Sequence, residues 1–198
     1  IPLYDTVNSS NAPYKTTSFA VENNTLDWRS ESASKAIDYL LKVLRVDTNN
    51  IIVVGHSQGG QVVPKIASIN SHVKKIVMMS SNSLDHIYDR ILIARQQALN
   101  NQMTYEEAQY VVDSLLKVHK EIYTSPGDTK LTFWDEPYNK WHSYSKETPL
   151  ENMLKLNIPI LLIAGDKTGD GRWYDTYVPI AVQLYDEHLE QLKQEGLL

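Results

Sequence analysis

The segment that most constrains this chain is Ile51-Ile-Val-Val-Gly55-His56-Ser57-Gln58-Gly59-Gly60-Gln-Val-Val-Pro64. Its first four residues are apolar and β-branched and stop at a glycine. That predicts a short strand covered on both faces, the pattern of a central parallel strand. The residues that follow the glycines, 61–69, carry a helical pattern with Pro64 in its early turns. A strand that passes through a glycine-flanked serine straight into a helix makes a crowded, sharp turn. With glycine near ~7% of residues, Gly-x-Ser-x-Gly alone arises by chance in roughly one chain in fifteen of this length. The strand before it and the helix after it make this instance far more specific. A serine hydroxyl becomes a useful nucleophile when it is exposed, beside a base and near donors for an oxyanion. The turn supplies exposure for Ser57. It also puts the N–H of Gln58 at a helix N-terminus, where unpaired amides and the dipole favour developing negative charge.

The rest of the chain fits strands separated by helices. Ala33, Ala36, Ile37, Leu40, Leu41 and Leu44 fall on one helical face, with Glu31, Lys35, Asp38, Lys42 and Arg45 opposite. Ile76-Val-Met-Met79 predicts a second buried strand, and Ile158-Pro-Ile-Leu-Leu-Ile-Ala164 a third, with Pro159 near its start, where proline is tolerated. Met78 and Met79 are expected in the core. The fold class is therefore α/β, a parallel sheet with flanking helices. Residues 1–30 are rich in Asn, Ser and Thr and read as loop with one short edge strand.

About seventy residues separate the second and third strands, far more than the ~2–6 of an ordinary βα connection. They predict a helical insert with amphipathic helices over 84–99 and 105–122 and a short one over 150–156. Thr104 and Glu107 form a capping box. Phe133, Trp134, Tyr138, Trp141 and Tyr144 form an aromatic segment whose tryptophans either pack the insert or wall a pocket. The division expected is 1–82 with 157–198 as the sheet-bearing core and 83–156 as the insert.

Composition removes whole classes of function. Nineteen basic and twenty-four acidic residues give a formal net charge of -5, no footing for a nucleic-acid backbone. Cysteine is absent, which excludes a disulfide framework, a thiolate nucleophile and zinc-thiolate sites, and leaves the compartment open. No apolar run approaches the ~18 residues of a membrane span. Asp166-x-x-x-Asp170-Gly lacks the further oxygen ligands of a calcium loop, so no metal or cofactor is implied. The partner expected is a small molecule.

Gly-His-Ser-Gln-Gly-Gly after Ile-Ile-Val-Val resembles the α/β-hydrolase superfamily, within it the serine esterases, thioesterases and prolyl-oligopeptidase-like enzymes. The helix before the elbow strand, the position of the insert and Asn157-Ile-Pro-Ile-Leu-Leu-Ile-Ala-Gly165 agree with the same resemblance. It covers about residues 30–198. It implies a partial α/β-hydrolase core with a helical cap, Ser57 as nucleophile and the Gln58 N–H as an oxyanion donor. For the triad acid it points first to Asp175, in Asp175-Thr-Tyr-Val-Pro179, with Asp170 and Asp166 as the other candidates. It implies a catalytic His after the acid, yet the only histidine there, His188, lies in a helical pattern. His56 reads as packed beside the turn, His72, His86 and His119 as solvent or core residues, and His142 as a pocket candidate. Three strands, no base and a start at Ile1 predict the middle of a longer hydrolase, its His beyond Leu198. The activity implied is cleavage of an ester, thioester or related acyl bond through an acyl-enzyme, by a carboxylic-ester hydrolase or a peptidase acting on a small-molecule ester, thioester or peptide substrate. An acyltransferase and a catalytically inactive binding module on the same fold are the alternatives.

Overall fold

The computed structural model describes residues 17–163 of the 198. Two helices open it, α1 (Ser18–Asn23) and α2 (Leu26–Val43). They replace the loop expected up to residue 30, and the residues that prompted that reading explain why. Thr17 and Thr25 are helix N-caps, accepting the Ala20 and Trp28 amides at 3.2 Å each. Threonine favours caps for the same reason that it favours turns, so composition alone cannot separate the two. Leu26 is then 1% exposed, and its amide donates to Ser143 Oγ at 3.0 Å, which ties α2 to a distant helix.

β1 (Ile52–His56), α3 (Gln58–Ile69) and β2 (Lys75–Met79) follow as a right-sized βαβ unit. β5 (Ile160–Ile163) completes a parallel sheet of order β1-β2-β5. Val54, Val77 and Leu161 sit in one row across it, and Val53, Ile76 and Ile160 in the next. The fold is α/β with a small parallel sheet and flanking helices. One sheet face packs on α2 and α3: Ile76 and Met78 are buried against Leu26, Val62, Val63, Ile66, Ala67 and Val73. Met78 is wholly buried and Met79 only partly, because successive residues point to opposite faces. The other face differs from the expectation that both sides are covered. Ile52 and Val54 on β1 remain half exposed.

Between β2 and β5 run α4 (His86–Leu99), α5 (Tyr105–Thr124), the two-stranded β3 (Thr132–Phe133) and β4 (Glu136–Pro137), α6 (Tyr138–Ser145) and α7 (Pro149–Met153). The Thr104–Glu107 capping box forms, and Thr148–Glu151 makes a second at α7. Helices α4, α5 and α6 enclose their own core of Ile87, Ile91, Ala94, Val112, Leu115, Ile122, Tyr138 and Trp141. α6 belongs to both cores, since Tyr144 on its last turn enters the sheet core. Lys65 on α3 adds a charged tie: it pairs with Asp27 at 3.1 Å and with Glu147. Burial pulls the Lys65 ammonium down, but the two carboxylates outweigh it and hold it above its ordinary value. Among the described residues no helix is long and apolar enough to cross a membrane.

Candidate active site

Ser57 stands between β1 and α3 with φ 53° and ψ -125°, a region that non-glycine residues rarely occupy. Such strain costs about 1–3 kcal/mol and persists only where the surroundings impose it. Here the imposition is visible. The Ser57 amide donates to Met79 O at 2.9 Å and Gly60 N donates back to Ser57 O at 2.9 Å, so neighbouring strand and helix both clamp the residue. A serine at a helix N-cap ordinarily uses its hydroxyl to bind the first-turn amides. Ser57 makes no such bond, and its side chain is exposed. The hydroxyl is thus spared for a ligand.

The flanking glycines act unequally. A Cβ on Gly55 would lie 2.4 Å from Gly59 O and 2.6 Å from a Val63 methyl. One on Gly60 would lie 2.5 Å from Ser81 Cβ. One on Gly59 would meet nothing within 4 Å. Strand and helix touch through Gly55 against the Gly59 backbone, and the helix meets the segment just after β2 through Gly60. Gln58 opens α3, so its N–H has no carbonyl one turn earlier to meet, and the helix dipole reinforces its pull on an anion.

A cavity of about 380 Å³ lies over this turn. Ser57, Gln58 and Gln61 form one wall, and Ser80, Ser81 and Asn82 continue it from the C-terminal end of β2. That is where open parallel sheets place their ligands. Ser80 repeats the strain of Ser57, with φ 49°. The insert supplies the opposite wall: His86 and Arg90 from α4, and Lys140, Trp141 and Tyr144 from α6. His86 stacks on Trp141 with ring centroids 5.7 Å apart. Trp141 is fixed in turn by its Nε1–H donating to Phe133 O at 2.7 Å. Lys140 is buried and pairs with Glu136 at 2.5 Å. Arg90 lies over the Trp134 ring, 5.3 Å from its centroid. Burial pushes the Tyr144 phenol up to about 12, against the opposing pull of Arg29. Gln61 Nε2 donates to Asn82 Oδ1, and Asn82 Nδ2 is buried with no acceptor among the described residues.

Of the residues singled out in the sequence, the structure brings Ser57 and Gln58 together at the cavity. Asp175, Asp170, Asp166 and His188 lie outside the described residues. His86, read as solvent-facing or core, instead lines the cavity; His56 is exposed at the end of β1, and His142 does not line it. Trp141 serves both roles open to it, core packing and pocket wall. Among the described residues no carboxylate lines the cavity, and no group of three acidic, His or Cys side chains is placed to hold a metal. Sequence reasoning missed Asn82, Arg90 and Lys140. The first had a usable signal, since Ser80-Ser81-Asn82 directly follows a parallel strand. The other two had none, because helix packing in the insert decides which face meets the sheet. No family model matches the chain, and no curated protein is found similar to it.

Proposed function

We propose that this chain is a serine acyl hydrolase built on an α/β-hydrolase core with a helical cap. The observation that carries the reading is the backbone of Ser57: a strained N-cap residue whose hydroxyl is exposed and unused by the helix that it caps. In this mechanism Ser57 Oγ attacks an ester or thioester carbonyl, an imidazole takes its proton, and the Gln58 N–H receives the developing oxyanion. The leaving group departs protonated, and water then releases the acid from the acyl-enzyme. Asp175 fits the role of the acid that orients the imidazole, and that imidazole stands outside residues 17–163. A second reading, a binding module that retains the fold without catalysis, is favoured by one observation. Among the described residues the cavity brings Ser57 no carboxylate–imidazole pair.

A fluorophosphonate probe separates the two. With protein expressed from its complete reading frame, the hydrolase reading expects stoichiometric labelling at Ser57, lost in Ser57→Ala together with esterase activity. A well-folded protein that never labels, or an alanine variant with undiminished activity, overturns it.

A further inference from the structure

The cavity over Ser57 has an unusual charge for this chain. Acidic residues outnumber basic ones by 24 to 19 over the sequence, yet among the described residues the cavity lining holds two cations, Arg90 and Lys140, and no carboxylate. Both cations come from the insert wall, facing the nucleophile wall, so they meet the part of a ligand that extends away from the reacting carbonyl. Lys140 is held in place: it is 6% exposed, and of its three N–H donors Glu136 engages one. Arg90 presents a different geometry at the mouth. Its guanidinium carbon lies over the Trp134 ring, 5.3 Å from the centroid, a contact that uses none of its N–H donors as a hydrogen bond. Among the described residues Arg90 has no carboxylate partner. Asn82, hydrogen-bonded to Gln61, adds a buried, neutral amide donor with no acceptor among the described residues. A buried donor left unpaired is costly, and a ligand oxygen relieves that cost.

We propose that the Ser57 cavity selects acyl substrates that carry a carboxylate at the end remote from the scissile bond, received by Arg90 and Lys140, with Asn82 Nδ2 donating to a substrate oxygen. The charge sum favours a monoanion. Among the described residues of the insert wall, two cations less the Glu136 carboxylate leave a single positive charge at the end remote from Ser57, which a carboxylate matches and a phosphate dianion exceeds. A long apolar acyl chain is disfavoured, because it would strip water from both cations and from the Asn82 amide without replacing those bonds. That this ligand is a substrate rests on the acyl-hydrolase reading; that it binds does not.

Binding is therefore measured where no turnover occurs, in Ser57→Ala, by calorimetric titration with three probes of matched length: monomethyl adipate, methyl hexanoate and pentyl phosphate. The monoanion is expected to bind at least about tenfold more tightly than the neutral ester, as one charged hydrogen bond would give. Adding Arg90→Gln, at an exposed position that leaves the core intact, should bring the two within about twofold, since the neutral amide retains donors but no charge. Equal affinities, no binding by either ester, tighter binding of the phosphate, or a preference that survives Arg90→Gln would each overturn the proposal. The two readings fail separately. If only the hydrolase reading is wrong, Ser57 stays unlabelled while the carboxylate preference persists; if only this one is wrong, Ser57 labels and the preference is missing.

Discussion

The two walls of the cavity are built by different physics. On the sheet side, position is set by the backbone. Ser57 is clamped between amide hydrogen bonds to Met79 and Gly60, and Gly55 and Gly60 let strand and helix approach until no methyl group fits between them. The side chains beneath are mostly aliphatic and fill space around that framework. On the insert side, position is set by side chains. His86, Phe133, Trp134 and Trp141 fix one another through ring contacts at 4.2–6.2 Å, and Lys140 through its ion pair with Glu136. A backbone-built wall holds one atom in one place, which a nucleophile requires. A side-chain-built wall can be rewritten residue by residue while the helices stay, which suits the choice of ligand. The division of labour proposed for the cavity, a nucleophile on one wall and ligand choice on the other, rests on this contrast.

Gly55→Ala should have the larger effect of the two core changes that test the contrast. Its Cβ would meet backbone atoms of Gly59, which cannot rotate away as a side chain would. The expected cost is at or above the ~3 kcal/mol upper end of overpacking, and whatever structure survives has β1 and α3 forced apart. Ser57 should then fail to react with a fluorophosphonate even in the folded fraction. Ile122→Ala is the counterpart in the insert. Ile122 is wholly buried in the insert core and does not line the cavity. Chemical denaturation should show a loss of about 3 kcal/mol, from transfer and the cavity left behind, with Ser57 labelling retained in the folded protein. If Ile122→Ala abolishes labelling, or Gly55→Ala preserves it, the two walls are not independent in the way described.

The same contrast explains what was legible in the sequence. β1, β2 and the elbow were readable because their rules are local: a β-branched run, glycines at fixed offsets and a serine between them. The helix faces of α4 and α5 and the Thr104–Glu107 cap were readable for the same reason. Two helices at the start were not, since Thr17 and Thr25 serve caps and turns alike and only the burial of Leu26 decides between them. Arg90 and Lys140 were not legible either. Nothing in 84–99 marks Arg90 off from Arg95, and only the packing of α4 against α6 turns one of them into the cavity wall. Ser57 and Gln58 were legible as a motif, whereas the cations that line the cavity depend on contacts between segments fifty or more positions apart.

Gly59 gives the smallest expected effect and the sharpest test of what the motif's glycines do. By sequence it is the second glycine of Gly-x-Ser-x-Gly, equal in standing to Gly55. By structure it differs: it lies in the first turn of α3, has no left-handed φ, and a Cβ there meets nothing within 4 Å. Only its backbone takes part in the close crossing, and alanine keeps that backbone. Alanine is also the better helix former by about 0.5–1 kcal/mol, because glycine loses more conformational freedom when the helix forms. Gly59→Ala should therefore fold at least as stably as the parent, with a gain of at most about 1 kcal/mol, and Ser57 should label as before. Thermal unfolding read beside Gly55→Ala makes the comparison direct: one added methyl at each of two motif glycines, with opposite signs. A destabilised Gly59→Ala would mean that the strand–helix contact is tighter at residue 59 than the open space around it indicates.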